Sequence, residues 1–274
     1  MIDLLVLVVL YRCKFDCSPS ISSLAGFAHP DIRLRILVWD NSPAPCATPA
    51  DMENLGKGHV TEVGYEHHPD NVPLSRIYNQ VISSRLADGG YLLLLDQDTT
   101  IPQDFWSVLC DALAKFPECD LFLPVVRAGN VIVSPAPFFF GWGRHWKKQI
   151  LGLVSAKRLV AINSGMIISG RYARRDFVGY DERLLFYGTD SDFMLKFAKQ
   201  RESFVVLPIV LNHDLSFNSA NREERLRKFR EMRLAISILF SKKGAVRRAM
   251  SALVMGAVSV VYAIRYQDIR YLNP

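Results

Sequence analysis

YLLLLDQD, residues Tyr91 to Asp98, is the stretch that decides the fold. An unbroken apolar run of this length is typical of a strand covered on both faces, as strands in a parallel sheet are. The run ends on two aspartates separated by one residue. Open α/β sheets bind ligands outside the carboxyl ends of their strands. The stretch therefore predicts two carboxylates at a ligand-binding edge.

Strand-like and helix-like segments alternate around this stretch. Apolar runs at Leu4–Leu10, Arg35–Trp39 and Val60–Tyr65 precede it, and residues with helical spacing occur before it at Pro73–Arg85 and after it at Phe105–Phe116. Alternation of this kind predicts βαβ units. We therefore expect an α/β fold, with a mostly parallel, doubly wound sheet and helices on both faces.

Beyond Pro124 the pattern is less regular. Short apolar runs predict strands at Val131–Val133, Leu159–Ile162, Met166–Ser169 and Phe204–Leu211, and helical spacing begins at about Asp190. No internal repeat or low-complexity linker divides this part of the chain. The simplest division is one catalytic domain over residues 1–221.

Residues 222–274 form a basic extension with 12 Lys/Arg against 4 Asp/Glu, although the whole chain of 274 residues has a net charge of only +6. Arg222–Phe240 has the pattern of a basic amphipathic helix. Ala249–Ile264 follows as 16 uncharged residues, fewer than the roughly 20 that span a bilayer. We expect these helices to lie on a membrane surface. The alternative is packing on the catalytic domain or on a second subunit, so a dimer stays open.

The remaining composition excludes several classes of protein. Residues 1–221 carry 21 Lys/Arg against 23 Asp/Glu, so the sheet has no basic excess for nucleic acid. Five cysteines lack paired zinc-type spacing and fit a reducing compartment. The apolar start, Ile2–Leu10, lacks a basic segment before it and is interpreted as a buried strand rather than a signal peptide. These features predict a cytoplasmic protein without a nucleic-acid partner.

Several acidic residues are candidates for chemistry. Asp96 and Asp98 can hold Mg²⁺ or Mn²⁺ against a departing diphosphate, although Asp-x-Asp pairs also occur in solvated turns. Asp40 follows an earlier strand and can bind a base or ribose, or only shape a turn. Asp190 can act as a general base or cap a helix. His213 follows the last strand as a metal or phosphate ligand, or as a structural histidine.

Taken together, these residues resemble the family 2 glycosyltransferases, and within them the bacterial rhamnosyltransferase branch. The matching segments run in the family's order: Tyr11-Arg12, Val38-Trp39-Asp40-Asn41-Ser42, Asn71-x-Pro73-x-Ser75-x-x-x-Asn79, Leu93 to Thr99, Asn163-Ser164-Gly165, Tyr180 to Asp192, and Asn212-His213. Pro73 replaces the family's usual glycine, which stiffens this loop. Thr189 stands where an acidic residue often precedes the base.

The resemblance implies a GT-A fold, an inverting sugar transfer and a Mg²⁺ or Mn²⁺ cofactor. It assigns the base to Asp190 and the metal to Asp96, Asp98 and His213. Donor contacts are implied for Asp40, Asn71, Arg76, Asn79, Asp96, Gln97 and Asp98. Acceptor contacts are implied for Asn163, Ser164, Gly165 and Asp192. The donor half would cover residues 1–125 and the acceptor half residues 126–221.

The substrates follow from the resemblance and from the loops. The expected donor is dTDP-rhamnose, with a UDP-hexose or UDP-galactofuranose as the alternative. An aromatic loop with a basic end, residues 138–148, includes Trp142 on the acceptor side or belongs to the core. With the basic extension, it predicts a lipid-diphosphate-linked saccharide acceptor, in cell-surface polysaccharide synthesis at the inner face of the membrane.

Two other functions compete with this prediction. A nucleotidyltransferase would carry a glycine-rich loop after the first strand, where Tyr11-Arg12-Cys13-Lys14 has no glycine. A non-enzymatic module that binds membrane or nucleic acid through its basic tail would leave the acidic residues without a role. Both are therefore remote alternatives.

Overall fold

The computed structural model describes residues 1–139, 142–143, 149–212, 221–241 and 243–272. These residues form the following strands: β1 Ile2–Leu10, β2 Ile32–Asp40, β3 Val60–His67, β4 Tyr91–Asp96, β5 Leu121–Ala128, β6 Val131–Ser134, β7 Ala136–Phe139, β8 Trp142–Gly143, β9 Gly152–Ser155, β10 Leu159–Val160, β11 Ile167–Ser169 and β12 Ser203–Asn212. The helices are α1 Pro19–Leu24, α2 Pro49–Leu55, α3 Leu74–Ser84, α4 Phe105–Lys115, α5 Gly170–Arg175, α6 Thr189–Gln200, α7 Arg222–Ser241 and α8 Ala245–Tyr266.

One large sheet organises the chain. Its order is β3-β2-β1-β4-β11-β5-β12-β9, with β6 paired to β5. The pairs β3–β2, β2–β1 and β1–β4 are parallel, as is the β5–β12 pair. Strand β11 is antiparallel to both β4 and β5. A smaller sheet contains β10, β7 and β8. The predicted α/β fold with a mostly parallel sheet is confirmed.

Helices cover both faces of the sheet because alternate residues of each strand point to opposite sides. On one face, Leu4, Val6 and Val8 pack with residues of α1, α2 and α4. On the other face, Leu5 and Leu7 pack with residues of α3, α5 and α6. The strands are thus buried on both sides, which explains their continuous apolar runs.

The middle of the chain differs from the sequence pattern in two places. The pattern becomes less regular after Pro124, and it does not predict β5, which runs through this residue from Leu121 to Ala128. A proline lacks only the amide donor, so a strand can tolerate it at an irregular position. The strand predicted at Leu159–Ile162 spans only Leu159–Val160, because the backbone then turns toward Asn163.

Helix α7 packs on the catalytic part of the chain. Ala235 lies against Gly188, where an added Cβ would come within 2.9 Å of the Ala235 side chain. The Phe138 and Phe240 rings stack with centroids 6.5 Å apart. Packing, one of the two contacts expected of these helices, therefore applies to α7.

Helix α8 is longer than its uncharged core indicates. It spans 22 residues, Ala245–Tyr266, and is long and apolar enough to cross a membrane. The prediction that this segment is too short to span was wrong, because Arg247, Arg248 and Arg265 lie inside the helix rather than at its limits. Only 17% of its most apolar 18-residue window is buried.

Candidate active site

The carboxyl end of β4 is held by a cluster of hydroxyl groups. Ser164 Oγ accepts the Asp96 amide hydrogen at 3.1 Å and lies 2.5 Å from Thr99 Oγ1. Ser20, in α1, donates its hydroxyl to the Asp96 carbonyl and to the Thr99 carbonyl. The turn that follows β4 is thus fixed by hydrogen bonds to its backbone amide and carbonyl groups.

The segment Asn163-Ser164-Gly165 joins this turn to the start of α6. Ser164 contacts the Asp96 turn, while Asn163 donates through Nδ2 to Thr189 Oγ1 at 2.9 Å. Thr189 directly precedes Asp190. Two segments more than 90 residues apart in sequence are therefore brought together through three consecutive residues.

The pKa of the buried Tyr78 hydroxyl depends on groups from both segments. Burial raises its pKa well above the usual value, and the negative charges of Asp96 and Asp190 raise it further, whereas Asn163 lowers it. Tyr78 lies on α3, on the face toward the sheet. The charges of Asp96 and Asp190 therefore both act on this hydroxyl, in agreement with the link between their segments through Ser164 and Asn163.

Asp190 lies in the first turn of α6 and does not cap it. Gly188 is the N-cap residue, with φ of 83°, and Asp190 Oδ1 accepts the Ser191 amide hydrogen at 2.6 Å. Burial raises the pKa of Asp190, and the hydrogen bonds with Ser191 oppose this only in part. A desolvated carboxylate with few donors is a stronger base than an exposed one.

Asp40 is fully buried at the end of β2. Its Oδ1 accepts from Ser42 N–H, and its Oδ2 accepts from Cys46 N–H and from the Tyr65 hydroxyl. Burial alone would raise its pKa, but the hydrogen bonds from Tyr65, Ser42 and Cys46 lower it below the usual value. Asp40 therefore holds the loop after β2, and its contact with a nucleoside stays a prediction.

Three residues on or just before α3 are predicted to contact the donor, and their side chains differ in their hydrogen-bond and ion-pair partners. Asn79 donates to the Tyr180 carbonyl at 3.1 Å and accepts the Tyr180 amide hydrogen at 2.7 Å, so it positions the loop before α6. Arg76 is exposed and pairs with Glu182 at 3.6 Å. Asn71 has a φ of 51°, and its buried Oδ1 has no hydrogen-bond partner among the described residues.

Three further predicted residues have structural contacts. Gln97 accepts the Tyr11 amide hydrogen at 2.8 Å, which fastens the loop after β1. Asp192 is buried and accepts from Asp181 N–H at 2.9 Å and from Lys196 Nζ at 2.7 Å. At Gly165, with φ of 84°, an added Cβ would lie 2.6 Å from both Leu211 and Pro124, so only glycine fits there.

The expected metal ligands are compatible with a divalent cation. Asp96 and Asp98 offer carboxylate oxygens, the donors that Mg²⁺ and Mn²⁺ prefer, and such ions commonly take only one or two carboxylates plus substrate phosphates. No group of three His, Cys, Asp or Glu side chains able to hold a metal occurs in the described part of the chain. Residue His213 and the side chain of Trp142 lie outside what the structure describes.

The site roles of some residues could not be predicted from the sequence. Tyr78 was expected only as an apolar residue of α3, and Thr189 only as a departure from the family pattern. Ser20 was not identified at all, although it bonds to the Asp96 turn from 76 residues away. A serine in a short helix carries no periodic pattern, so only the folded chain reveals this contact.

Comparison with known proteins supports the fold. No family model and no curated protein matches the sequence. The S. aureus protein TarS, residues 1–349, aligns with a TM-score of 0.56 and 12% identity over 99% of this chain and 89% of its own. TarS in complex with UDP-GlcNAc aligns at 0.54 and 11% over 93% and 71%. GalNAc-T7 with UDP, GalNAc and Mn²⁺ aligns at 0.50 and 12% over 78% and 44%.

Both of these proteins are glycosyltransferases of GT-A-like fold. At 11–12% identity the likeness concerns the fold and carries no residue roles. The expected GT-A fold is therefore confirmed, and the chain shares it with enzymes solved with UDP, UDP-GlcNAc and Mn²⁺.

Proposed function

We propose that this protein is an inverting, metal-dependent glycosyltransferase that moves a sugar from a nucleoside diphosphate to an acceptor hydroxyl. The observation that carries the proposal is the link between the Asp96 turn and the start of α6, in which Ser164 bonds to the Asp96 amide and Asn163 to Thr189, next to Asp190. One carboxylate belongs to a strand end suited to the donor, and the other starts a helix suited to a base. The fold shared with glycosyltransferases supports this assignment.

The donor side of the site uses Asp98 and Asp96, with His213, to hold Mg²⁺ or Mn²⁺. When bound, the ion neutralises charge on the departing diphosphate. Asn71 contributes a buried acceptor oxygen without a partner among the described residues, which suits a donor N–H or hydroxyl. Asp40 and Gln97 hold the loops after β2 and β1, while Arg76 and Asn79 contact the donor from α3.

Asp190 takes the proton of the acceptor hydroxyl as the new bond forms. Its pKa is raised by burial, which increases its affinity for that proton in the transition state. Asn163 presents a buried Oδ1 that has no partner within the described chain, and this oxygen accepts a hydroxyl of the sugar or acceptor. Ser164, Gly165, Asp192 and Trp142 complete the acceptor side.

The donor we propose is dTDP-rhamnose, with a UDP-hexose or UDP-galactofuranose as the alternative. Each of these donors contains a pyrimidine nucleoside diphosphate, the class to which the UDP bound in TarS and GalNAc-T7 belongs. The acceptor is a lipid-diphosphate-linked saccharide of bacterial surface polysaccharide synthesis. The enzyme accordingly works in the cytoplasm, at the inner face of the membrane.

Helix α8 supplies the membrane contact by lying on the surface rather than crossing it. Its large exposed apolar residues lie in two groups, one near each end of the helix: Val246, Met250 and Leu253, and then Val260, Val261 and Ile264. Its other face packs on α7, where Ser251, Met255 and Ser259 are buried. Because α7 carries nine charged residues among its 20, insertion of α8 across the bilayer would desolvate them at great cost. A surface position avoids that cost.

The proposed reaction is tested by thermal unfolding with UDP, dTDP and Mn²⁺. Ligands that bind only the native state raise the melting temperature. We expect stabilisation by one of the nucleotides with Mn²⁺ present and little without it, and loss of the metal dependence in Asp98→Ala. A screen of nucleotide sugars for hydrolysis then identifies the donor. Equal stabilisation of both proteins, with and without Mn²⁺, would remove the metal from the proposal.

A further inference from the structure

A cluster of basic side chains lies where α6 ends and α8 begins. Lys199 is near the end of α6, Lys243 is between α7 and α8, and Arg247 is in the first turn of α8. Burial lowers the pKa of Lys243, and the positive charges of Lys199 and Arg247 lower it further. None of these three cations forms an ion pair with another described residue. A cluster of like charges without a described acidic partner favours an anionic ligand.

A groove lies between α7 and α8, the two helices that Lys243 connects. The groove encloses about 430 Å³ and is lined by Arg233, Arg248 and three serines, Ser237, Ser241 and Ser251. Its apolar part consists of Ile236, Phe240, Ala252 and Met255. Guanidinium and hydroxyl groups are donors suited to phosphate oxygens. An apolar wall beside such donors suits an amphiphile better than a free ion.

The exposed stripe of α8 starts at this groove. Val246 and Leu253 are 73% and 74% exposed, and Arg248 lies between them in sequence and lines the groove. A helix with an apolar stripe and cations along its border matches a bilayer interface, where acyl chains and phosphates lie at adjacent depths. The charge of the groove complements an anionic headgroup, and the stripe complements the acyl region beside it.

We propose that the groove between α7 and α8 binds the phosphate headgroup of an anionic membrane phospholipid. This site deepens the membrane contact of the proposed function and is independent of the sugar-transfer reaction. Arg233, Lys243 and Arg248 supply the charge, and the serine hydroxyls donate to phosphate oxygens. Through Ala235 and Gly188, α7 connects this groove to the loop that begins α6.

The test is sedimentation of the full-length protein with vesicles of phosphatidylcholine alone or mixed with phosphatidylglycerol. The variant Lys243→Gln/Arg247→Gln/Arg248→Gln should bind the anionic vesicles about a hundredfold more weakly than wild type, since each basic residue near a surface contributes about fivefold. The matched control Arg33→Gln/Lys57→Gln/Lys115→Gln removes the same charge from exposed positions of the sheet domain. It should bind as wild type does.

Other outcomes identify which part of the proposal is wrong. An equal loss in both triple variants would mean general attraction by net charge, and the groove would carry no site. If the protein bound inorganic phosphate at low millimolar concentration but bound no vesicles, the ligand would be a soluble anion. A dimer that dissociates in Leu253→Glu, again without vesicle binding, would assign the stripe to a second copy. Metal-dependent nucleotide binding, measured separately, tells whether the sugar-transfer proposal survives any of these results.

Discussion

The two ends of helix α6 each involve a carboxylate, and the two carboxylates differ in chemistry. At the carboxyl end, Arg201 binds the buried Asp120, which also accepts from Ser169 and Arg171. At the amino end, the partly buried Asp190 accepts from its neighbour Ser191. Burial alone would raise the pKa of Asp120, but the hydrogen bonds from Ser169, Arg201 and Arg171 lower it. Burial raises the pKa of Asp190.

The difference shows that burial by itself does not mark a reactive carboxylate. What decides the direction of the shift is how many donors face the charged form. Asp120 is a structural anion that fastens β5, β11 and α6. Asp190 is short of donors, as a group that must accept a proton in the reaction should be.

The largest expected effect is that of Asp190→Asn. Removal of a general base costs a factor of about 10² to 10⁴ in turnover, while metal-dependent nucleotide binding should remain within about threefold of wild type. The free energy of unfolding near neutral pH should not fall, because the buried charge is lost without loss of a strong partner. Donor consumption and calorimetric titration measure the two properties. Turnover near the wild-type rate would take Asp190 out of the mechanism.

Asp120→Asn should give the opposite result. Breaking a buried ion-pair network costs about 3–5 kcal/mol of unfolding free energy, which denaturant unfolding measures, and turnover per folded molecule should change little. A loss of turnover without a loss of stability would contradict the structural role given to Asp120.

The pH dependence of unfolding should separate the same two groups. The stability contributed by Asp120 is present above the unfolded pKa, near 3.9, and is lost as the pH falls through its lowered native pKa. The raised pKa of Asp190 has the opposite sign, because it favours folding below the unfolded pKa and loses that contribution as the pH rises through the native pKa. Denaturant unfolding of each Asn variant and wild type between about pH 3 and 7 should show these opposite trends. Parallel trends would refute the contrast.

A smaller effect is expected for Gly188→Ala, at the amino end of α6. The residue has φ of 83°, and the added Cβ would lie 2.9 Å from the Ala235 Cβ. A left-handed conformation costs an alanine about 1–2 kcal/mol, and the contact adds to it. We expect a lower melting temperature and reduced turnover, since the start of α6 shifts. Gly256→Ala, where the added Cβ meets nothing within 4 Å, is the matched control on α8.

The smallest effect belongs to Asp192→Asn. Its carboxylate accepts from Asp181 N–H and from Lys196 Nζ, so loss of the charge should cost about 1–2 kcal/mol. Turnover should fall less than about tenfold, well below the general-base range. A large rise in the acceptor KM with unchanged stability would instead place this side chain against the acceptor.

Much of the fold could be predicted because its strands are buried on both faces. Continuous runs such as the one ending at Asp96 identify a parallel sheet and the edge where polar residues gather. Strand β11 could not be predicted between β4 and β5, since three apolar residues carry no information about direction. Nor could β5 be followed through Pro124, where local propensity and tertiary pairing disagree.

The site was predictable in its residue types and less so in their roles. Asp96, Asn163 and Asp190 were named from the sequence, and the structure brings their segments together. The hydrogen bonds that Asp40 accepts from Ser42, Cys46 and Tyr65 could not be predicted, because hydrogen bonds to a loop leave no periodic pattern in the sequence. The contact of α7 with Gly188 could not be predicted either, since an amphipathic pattern does not identify the surface that the helix packs against.

The pH profile of donor consumption, in wild type and in Asp190→Asn, tests the central claim most directly. The base must be unprotonated, so activity should fall with decreasing pH through a pKa above that of an ordinary aspartate. Asp190→Asn should have a residual rate at least a hundredfold lower and no such acidic limb. A variant that kept both the rate and the acidic limb of the wild-type enzyme would contradict the role of Asp190 as the general base.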